Sequence, residues 1–286
     1  KPIIDLFYSG LGGLFSRQMI TAMADNTVGI DYLEGWVDQV ADGRVGGQVR
    51  AFGARTVHII AGNAPIVSAW TIARNAYTRG DAIIKLPSND PFTGLAIGRT
   101  MCDMAPDHPI TRHLAIGYWR GGDEAVESQI YQPHHVEKIV AWGGFDSVKH
   151  VTRYIQPGLE LISLDPKYSI SIVGAEALED ERGMREAALR VAADFGGVNQ
   201  VGCANSRVVY VLTEGRLSTD AVNRFGEQVY EELLGLPESM STRPKSYSQE
   251  LKGEAEALRL QDDWYHVIGG ENGEGCVIVS QLEDPV

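Results

Sequence analysis

The chain has 286 residues, a net charge of -13 and a hydrophobic share of 44%. That length suits one large domain or two ordinary ones, and the apolar share argues against general disorder. The acidic balance argues against non-specific nucleic-acid binding, which needs a basic surface, but leaves room for an anionic small molecule held by local donors.

No window approaches the roughly 20 apolar residues that span a bilayer. The start, KPIIDLFYSG, has no charged segment followed by a long apolar run. Cys102, Cys203 and Cys276 form no C-x-x-C pair. A disulfide framework is not expected, and a reducing, cytoplasmic setting fits.

From Arg55 onward strands and helices alternate. TVHIIAG (56–62) reads as a buried strand, and Pro65 opens a helix to about Tyr77. DAIIKL (81–86) is the next strand. The helix in DPFTGLAIGRTMCDMA (90–105) follows, with Asp90 as its cap and Pro91 at its first position. RHLAIGYW (112–119) is a strand, DEAVESQIYQ (123–132) a short helix, and EKIVAWGG (137–144) a strand ending in two glycines. A helix from Phe145 to Tyr154 completes four strand–helix units, which require a parallel sheet with helical crossovers.

The texture changes near Pro157. LELISL (159–164) and YSISIVG (168–174) are short strands. A helix in ALEDERGMREAALRVAADFG (177–196) has acidic residues early and Gly196 at its end. RVVYVLT (207–213) is a strand, and Ser218 caps a helix to about Leu236. Residues 237–262, including Pro244–Ser246, read as a loop with one helical stretch near Glu254–Leu258. WYHVIGG and GCVIVS form a hairpin around GENGEG (270–275). The expected division is 1–156, an N-terminal and dinucleotide-binding domain, and 157–286, an α/β catalytic domain.

Several familiar motifs are missing. GLGG at Gly10–Gly13 is not G-x-G-x-x-G, and there is no Walker loop or G-x-S-x-G elbow. His134 and His135 fit an exposed turn. The spacing of Cys102, His108 and His113 matches no recurring zinc pattern, so no metal is expected.

Three strand-to-helix turns stand out, because ligands of open α/β sheets collect at the carboxyl ends of strands. In AGNAP (61–65), Asn63 either caps the following helix or donates to a developing oxyanion. In KLPSND (85–90), Lys85 either snorkels to solvent or binds ribose hydroxyls or phosphate. In AWGGFDSV (141–148), Gly143 and Gly144 make either an ordinary tight turn or a close approach for a phosphate. Cys203 sits in the glycine-flanked stretch NQVGCAN (199–205). It is either a small structural residue or a nucleophile with donors nearby.

The ordered set Asn63-Ala64-Pro65, Lys85 to Pro91, Trp142-Gly143-Gly144, Leu164 to Ser169 and Asn199 to Cys203 resembles the aldehyde dehydrogenase superfamily. GNAP, KLPSNDP, GYWRGG, AWGG and LDPKYS most resemble its LuxC acyl-CoA reductases. The resemblance implies an aldehyde dehydrogenase-like α/β fold, with a parallel-sheet dinucleotide-binding domain and a catalytic domain carrying the cysteine. It implies NADPH (NADH as the variant) and reduction of a long-chain fatty acyl thioester, from acyl-CoA or an acyl-protein donor, through an acyl-enzyme on Cys203.

Asn63 then serves the oxyanion, Lys85 and Ser88 the adenosine ribose or its 2′-phosphate, and Trp142, Gly143 and Gly144 the pyrophosphate turn. The family also implies a homo-oligomer, with acyl-transferase or synthetase subunits as further partners. Leu164 aligns with the glutamate that activates water in hydrolytic members, which favours reduction over hydrolysis. The superfamily continues beyond GCVIVSQLEDPV, so the catalytic domain is expected to be incomplete at its C-terminus. The competing readings are a short-chain CoA-acylating aldehyde dehydrogenase and a truncated, non-catalytic scaffold.

Overall fold

A computed structural model of the chain describes residues 12, 15–165, 167–241 and 249–280. Gly10–Gly13 (Gly12 excepted), Pro166 and Pro244–Ser246 fall outside the described residues. Contacts divide the chain into two compact units, one within Tyr8–Pro166 and one within Lys167–Val286. The expected boundary after residue 156 therefore moves to Pro166, because Glu160–Leu164 pairs in parallel with Lys138–Trp142 and completes the first sheet.

The first unit begins with helices α1 (Arg17–Thr27) and α2 (Ile30–Glu34) and the antiparallel hairpin β1 (Val37–Ala41) and β2 (Arg44–Val49). The alternating part follows as β3 (Thr56–Ile59), α3 (Ile66–Tyr77), β4 (Ala82–Lys85), α4 (Thr93–Met104), α5 (Pro109–Arg112) and β5 (Leu114–Gly117). It continues with α6 (Glu124–Ile130), β6 (Lys138–Trp142), α7 (Phe145–Val151) and β7 (Glu160–Leu164). The five strands β3 to β7 are all parallel, in the order β5-β4-β3-β6-β7. The order reverses between β3 and β6, which makes their carboxyl ends the switch point of the sheet.

Strand side chains alternate between faces. Ala82 and Ile84 join Ile72 of α3 in one core, while Ile83 packs with Val57, Ile139 and Tyr131 in the other. Each fully buried aliphatic side chain contributes roughly 1.5–3 kcal/mol. Two helix starts differ from expectation. α3 begins at Ile66, with Pro65 as its N-cap. α4 begins at Thr93 and not at Pro91, because Asp90 Oδ1 accepts from the Thr93 N–H at 3.1 Å and closes a turn ahead of the helix.

The second unit contains β8 (Ser169–Gly174), α8 (Glu181–Gly196), β9 (Ser206–Leu212) and α9 (Thr219–Gly235). After these come α10 (Gln249–Leu258), β10 (Tyr265–Gly269) and β11 (Cys276–Ser280). Its sheet runs β10-β11-β9-β8, with β8, β9 and β11 parallel and β10 antiparallel to β11. α8 and α9 cover one face through Phe195 and Phe225, packed on Val209 and Val277. α10 covers the other through Leu251 and Ala255 against Ile278, and it begins earlier than the helical stretch expected near Glu254. Asp180 and Ser218 cap α8 and α9, accepting from Gly183 N at 2.7 Å and Ala221 N at 3.3 Å. No helix among the described residues is long and apolar enough to cross a membrane.

Candidate active site

The first unit gathers its site residues at one edge of one sheet. Ile59, Lys85, Gly117 and Ala141 share a level in the register, so the turns after β3, β4 and β6 leave the same carboxyl edge. Asn63 is exposed and lies two residues before the N-cap Pro65. Ser88 is exposed in the next turn. The two turns are tied: Asn89 Nδ2 donates to the Gly62 carbonyl at 2.7 Å. A Cβ on Gly62 would stand 1.8 Å from Asn89 Oδ1, so any larger residue there would displace the Asn89 side chain and break this tie.

At the end of β6, the indole N–H of Trp142 is buried and has no hydrogen-bond partner among the described residues. Gly144 is the N-cap of α7 and makes no side-chain cap bond, and nothing lies within 4 Å of where its Cβ would be. The turn is therefore open in front and offers an uncommitted donor beside it. A cavity of about 840 Å³ opens at the opposite, amino edge, lined by Asp81, His113 and Leu114 among others, and none of Asn63, Lys85, Ser88, Trp142, Gly143 and Gly144 lines it.

Lys85 does not snorkel to solvent. It is 9% exposed, and its Nζ lies 5.6 Å from the centroid of the Trp119 ring. Lys85 shares the face of Ile83, toward α6 and α7. Burial pushes the ammonium pKa down, and Glu127 raises it in opposition.

The second unit presents Cys203 in the turn before β9. Its side chain is exposed, whereas Cys276 is buried on β11 and its thiol is pushed up to about 12 by burial. The approach to Cys203 is strained. Val198, Asn199 and Gln200 have φ of 51°, 58° and 59°, a left-handed run that non-glycine residues rarely adopt.

The surroundings hold that run in place. Val198 N–H donates to the Met240 carbonyl at 2.7 Å, and Ser241 Oγ donates to Asn199 Oδ1 at 2.9 Å. Gln200 is 2% exposed and its amide pairs with the backbone of Cys276, donating at 2.9 Å and accepting at 3.0 Å. Beyond the run, Asn205 Oδ1 accepts from Gly202 N–H at 2.8 Å, and Ser169 Oγ donates to the Cys203 carbonyl at 2.9 Å. The exposed Cys203 thiol thus sits on a turn fixed from four sides.

A family model described as acyl-CoA reductase (LuxC) matches residues 13–256. The chain belongs to the LuxC family. This LuxC chain is 32% identical over 157 residues to the long-chain acyl-protein thioester reductase of Aliivibrio fischeri, covering 55% of the chain and 32% of that protein. It is 27% identical over 235 residues to the protein of the same name from Vibrio harveyi, covering 82% and 46%. It therefore spans less than half the length of these relatives.

Among solved structures, the LuxC chain resembles the P. syringae indole-3-acetaldehyde dehydrogenase AldA, in complex with NAD+ and IAA. The TM-score is 0.65 at 15% identity, covering 93% of this chain and 54% of that one. It also resembles the NADP-dependent glyceraldehyde-3-phosphate dehydrogenase of Bacillus halodurans, complexed with NADP. There the TM-score is 0.64 at 13% identity, covering 93% and 59%. The fold is thus aldehyde dehydrogenase-like, as the motif order implied.

The sequence reading missed two sets of residues. One is the clamp of Gln200, whose partner Cys276 is distant in the chain. The other is buried Glu127. Its signal was present: Glu127, Ile130 and Tyr131 fall at i, i+3 and i+4, so the carboxylate occupies the apolar stripe of α6.

Proposed function

We propose that this protein reduces a long-chain fatty acyl thioester to the aldehyde with NADPH, through an acyl-enzyme on Cys203. The observation that carries the reading is the exposed Cys203 thiol on its over-determined left-handed approach. The relatives' names point to an acyl-protein donor and the family's to acyl-CoA; the thioester chemistry is shared.

The Cys203 thiolate attacks the acyl carbonyl carbon. Charge moves to the carbonyl oxygen, for which the Cys203 backbone N–H and, by the family resemblance, Asn63 are the donors. The thiol of the donor then leaves, and the acyl group stays on sulfur. Bound NADPH supplies the hydride that takes the acyl group to the aldehyde. Aldehyde release returns Cys203 as thiolate.

The open position at Gly144 leaves room for a pyrophosphate, and the unpartnered Trp142 N–H and the Lys85 cation are donors of the type a dinucleotide takes. Ser88 completes the ribose contacts. By the family resemblance Leu164, 39% exposed at the end of β7, stands where hydrolytic members carry the water-activating glutamate, which favours reduction over hydrolysis.

Incubation with radiolabelled tetradecanoyl-CoA in the absence of NADPH tests the reading. One label per chain is expected on Cys203, and none on Cys203→Ser. Equal labelling of the Cys203→Ser protein sinks the mechanism.

A further inference from the structure

Helix α6 carries a charge that the reading above leaves unused. Glu127 is 1% exposed, the only acidic residue in the buried set among the described residues. A carboxylate at that depth persists only where its oxygens are bonded and its charge is opposed. Its oxygens accept from His150 Nε2 at 2.6 Å, from Tyr154 Oη at 3.1 Å and from Gly122 N–H at 3.2 Å.

Those donors mark a route. Gly122 lies in the loop before α6. His150 is in the last turn of α7, and Tyr154 is in the 3-10 turn that follows it. α7 starts at the Gly143–Gly144 turn and has seven residues, a length of about 10 Å at 1.5 Å per residue. So short a helix acts as a rigid rod, and fixing its far end fixes the turn at its near end. The ion pair of Glu127 is with His150, and the Lys85 ammonium is held over Trp119 on the same face of the sheet. Trp119 packs at 6.5 Å on Tyr131, and Tyr131 at 5.1 Å on Tyr154, so a run of aromatic rings joins Lys85 to the Tyr154 hydroxyl that donates to Glu127.

We propose that Glu127 is a positioning residue of the dinucleotide site, anchoring α7 and, through the aromatic run, holding Lys85 in place at the edge of β4 without touching the cofactor. This rests on the reading of Lys85 and Gly143–Gly144 as dinucleotide contacts. A carboxylate that merely packs would affect stability, and its effect on binding would not depend on Lys85.

The test is NADPH affinity by fluorescence titration, with a thermal melt of each protein. Glu127→Gln keeps the shape and two of the bonds but removes the charge. It is expected to raise Kd about tenfold, and Glu127→Asp, which keeps the charge, to stay within about threefold of the parent protein. In a Lys85→Met background, Glu127→Gln is expected to add less than about threefold. An unchanged Kd in Glu127→Gln, a weaker Kd in Asp than in Gln, or fully additive effects overturn the inference. If Glu127→Gln fails to fold, adding Lys85→Met is expected to restore folding, and a double variant that also fails overturns it. The underlying cofactor reading fails separately, if Gly144→Val binds NADPH normally.

Discussion

At the scale of the residue, Gln200 decides whether Cys203 is held. Its amide satisfies both the N–H and the carbonyl of Cys276. Gln200→Leu fills the volume but orphans two buried backbone groups. Each orphaned group costs roughly 1–3 kcal/mol, so a loss of about 2–6 kcal/mol in urea unfolding is expected. The left-handed run of Val198 to Gln200 then loses a clamp, and labelling of Cys203 by acyl-CoA is expected to slow at least about tenfold in the protein that remains folded. Labelling at the parent rate would show that the clamp serves stability alone.

Cys203 stood out in the sequence only through the company of other motifs. Taken alone, a glycine-flanked cysteine reads sooner as packing than as a nucleophile. The clamp was not legible, because Gln200 and Cys276 meet only through the tertiary fold.

At the scale of the element, the strand–helix alternation from β3 to α7 was legible because these strands are apolar and largely shielded and their turns carry glycine and proline. β1 and β2 were not. Their residues are mostly exposed, and Gly46 and Gly47 break the pattern, so no core imposes a period there. β7 was recognised as a strand but assigned to the wrong unit, since pairing partners leave no mark in local sequence.

The central strand β3 also carries a titratable group. The ring of His58 has Nε2 3.2 Å from Asn75 Oδ1, and Asn75 Nδ2 donates to the Gly80 carbonyl at 2.6 Å. Nδ1 of the ring is buried with no partner among the described residues. Burial lowers the His58 pKa below its ordinary 6.5, against the smaller opposing effect of Asn75. Below about pH 6.5 the unfolded chain takes up a proton that the folded chain refuses. The stability from neutral His58 is therefore full above that pH and is lost as pH falls toward the depressed folded value. His58→Gln removes this linkage. Urea unfolding from pH 7 to about pH 5 is expected to show a shallower acid-side loss in the variant; parallel curves would count against the assignment.

At the scale of the whole molecule, the residues proposed for the cofactor and the proposed nucleophile belong to different compact units. Lys85, Ser88, Trp142, Gly143 and Gly144 lie on the first, and Cys203 with its clamp on the second. Cofactor binding and acyl loading are then separable by single substitutions. Gly144 has φ -65° and ψ 161°, a conformation open to any L-residue, and its Cβ position is empty. Gly144→Val should leave the melt within about 0.5 kcal/mol of the parent, as unstrained surface changes do. Its branched side chain fills the space a pyrophosphate needs, so NADPH affinity should fall more than about tenfold. Loading of Cys203 from labelled tetradecanoyl-CoA, which needs no NADPH, should persist. Cys203→Ser is the reciprocal case, with NADPH affinity kept and loading lost. Loss of both functions in a natively melting Gly144→Val protein would mean that the two units do not divide the work.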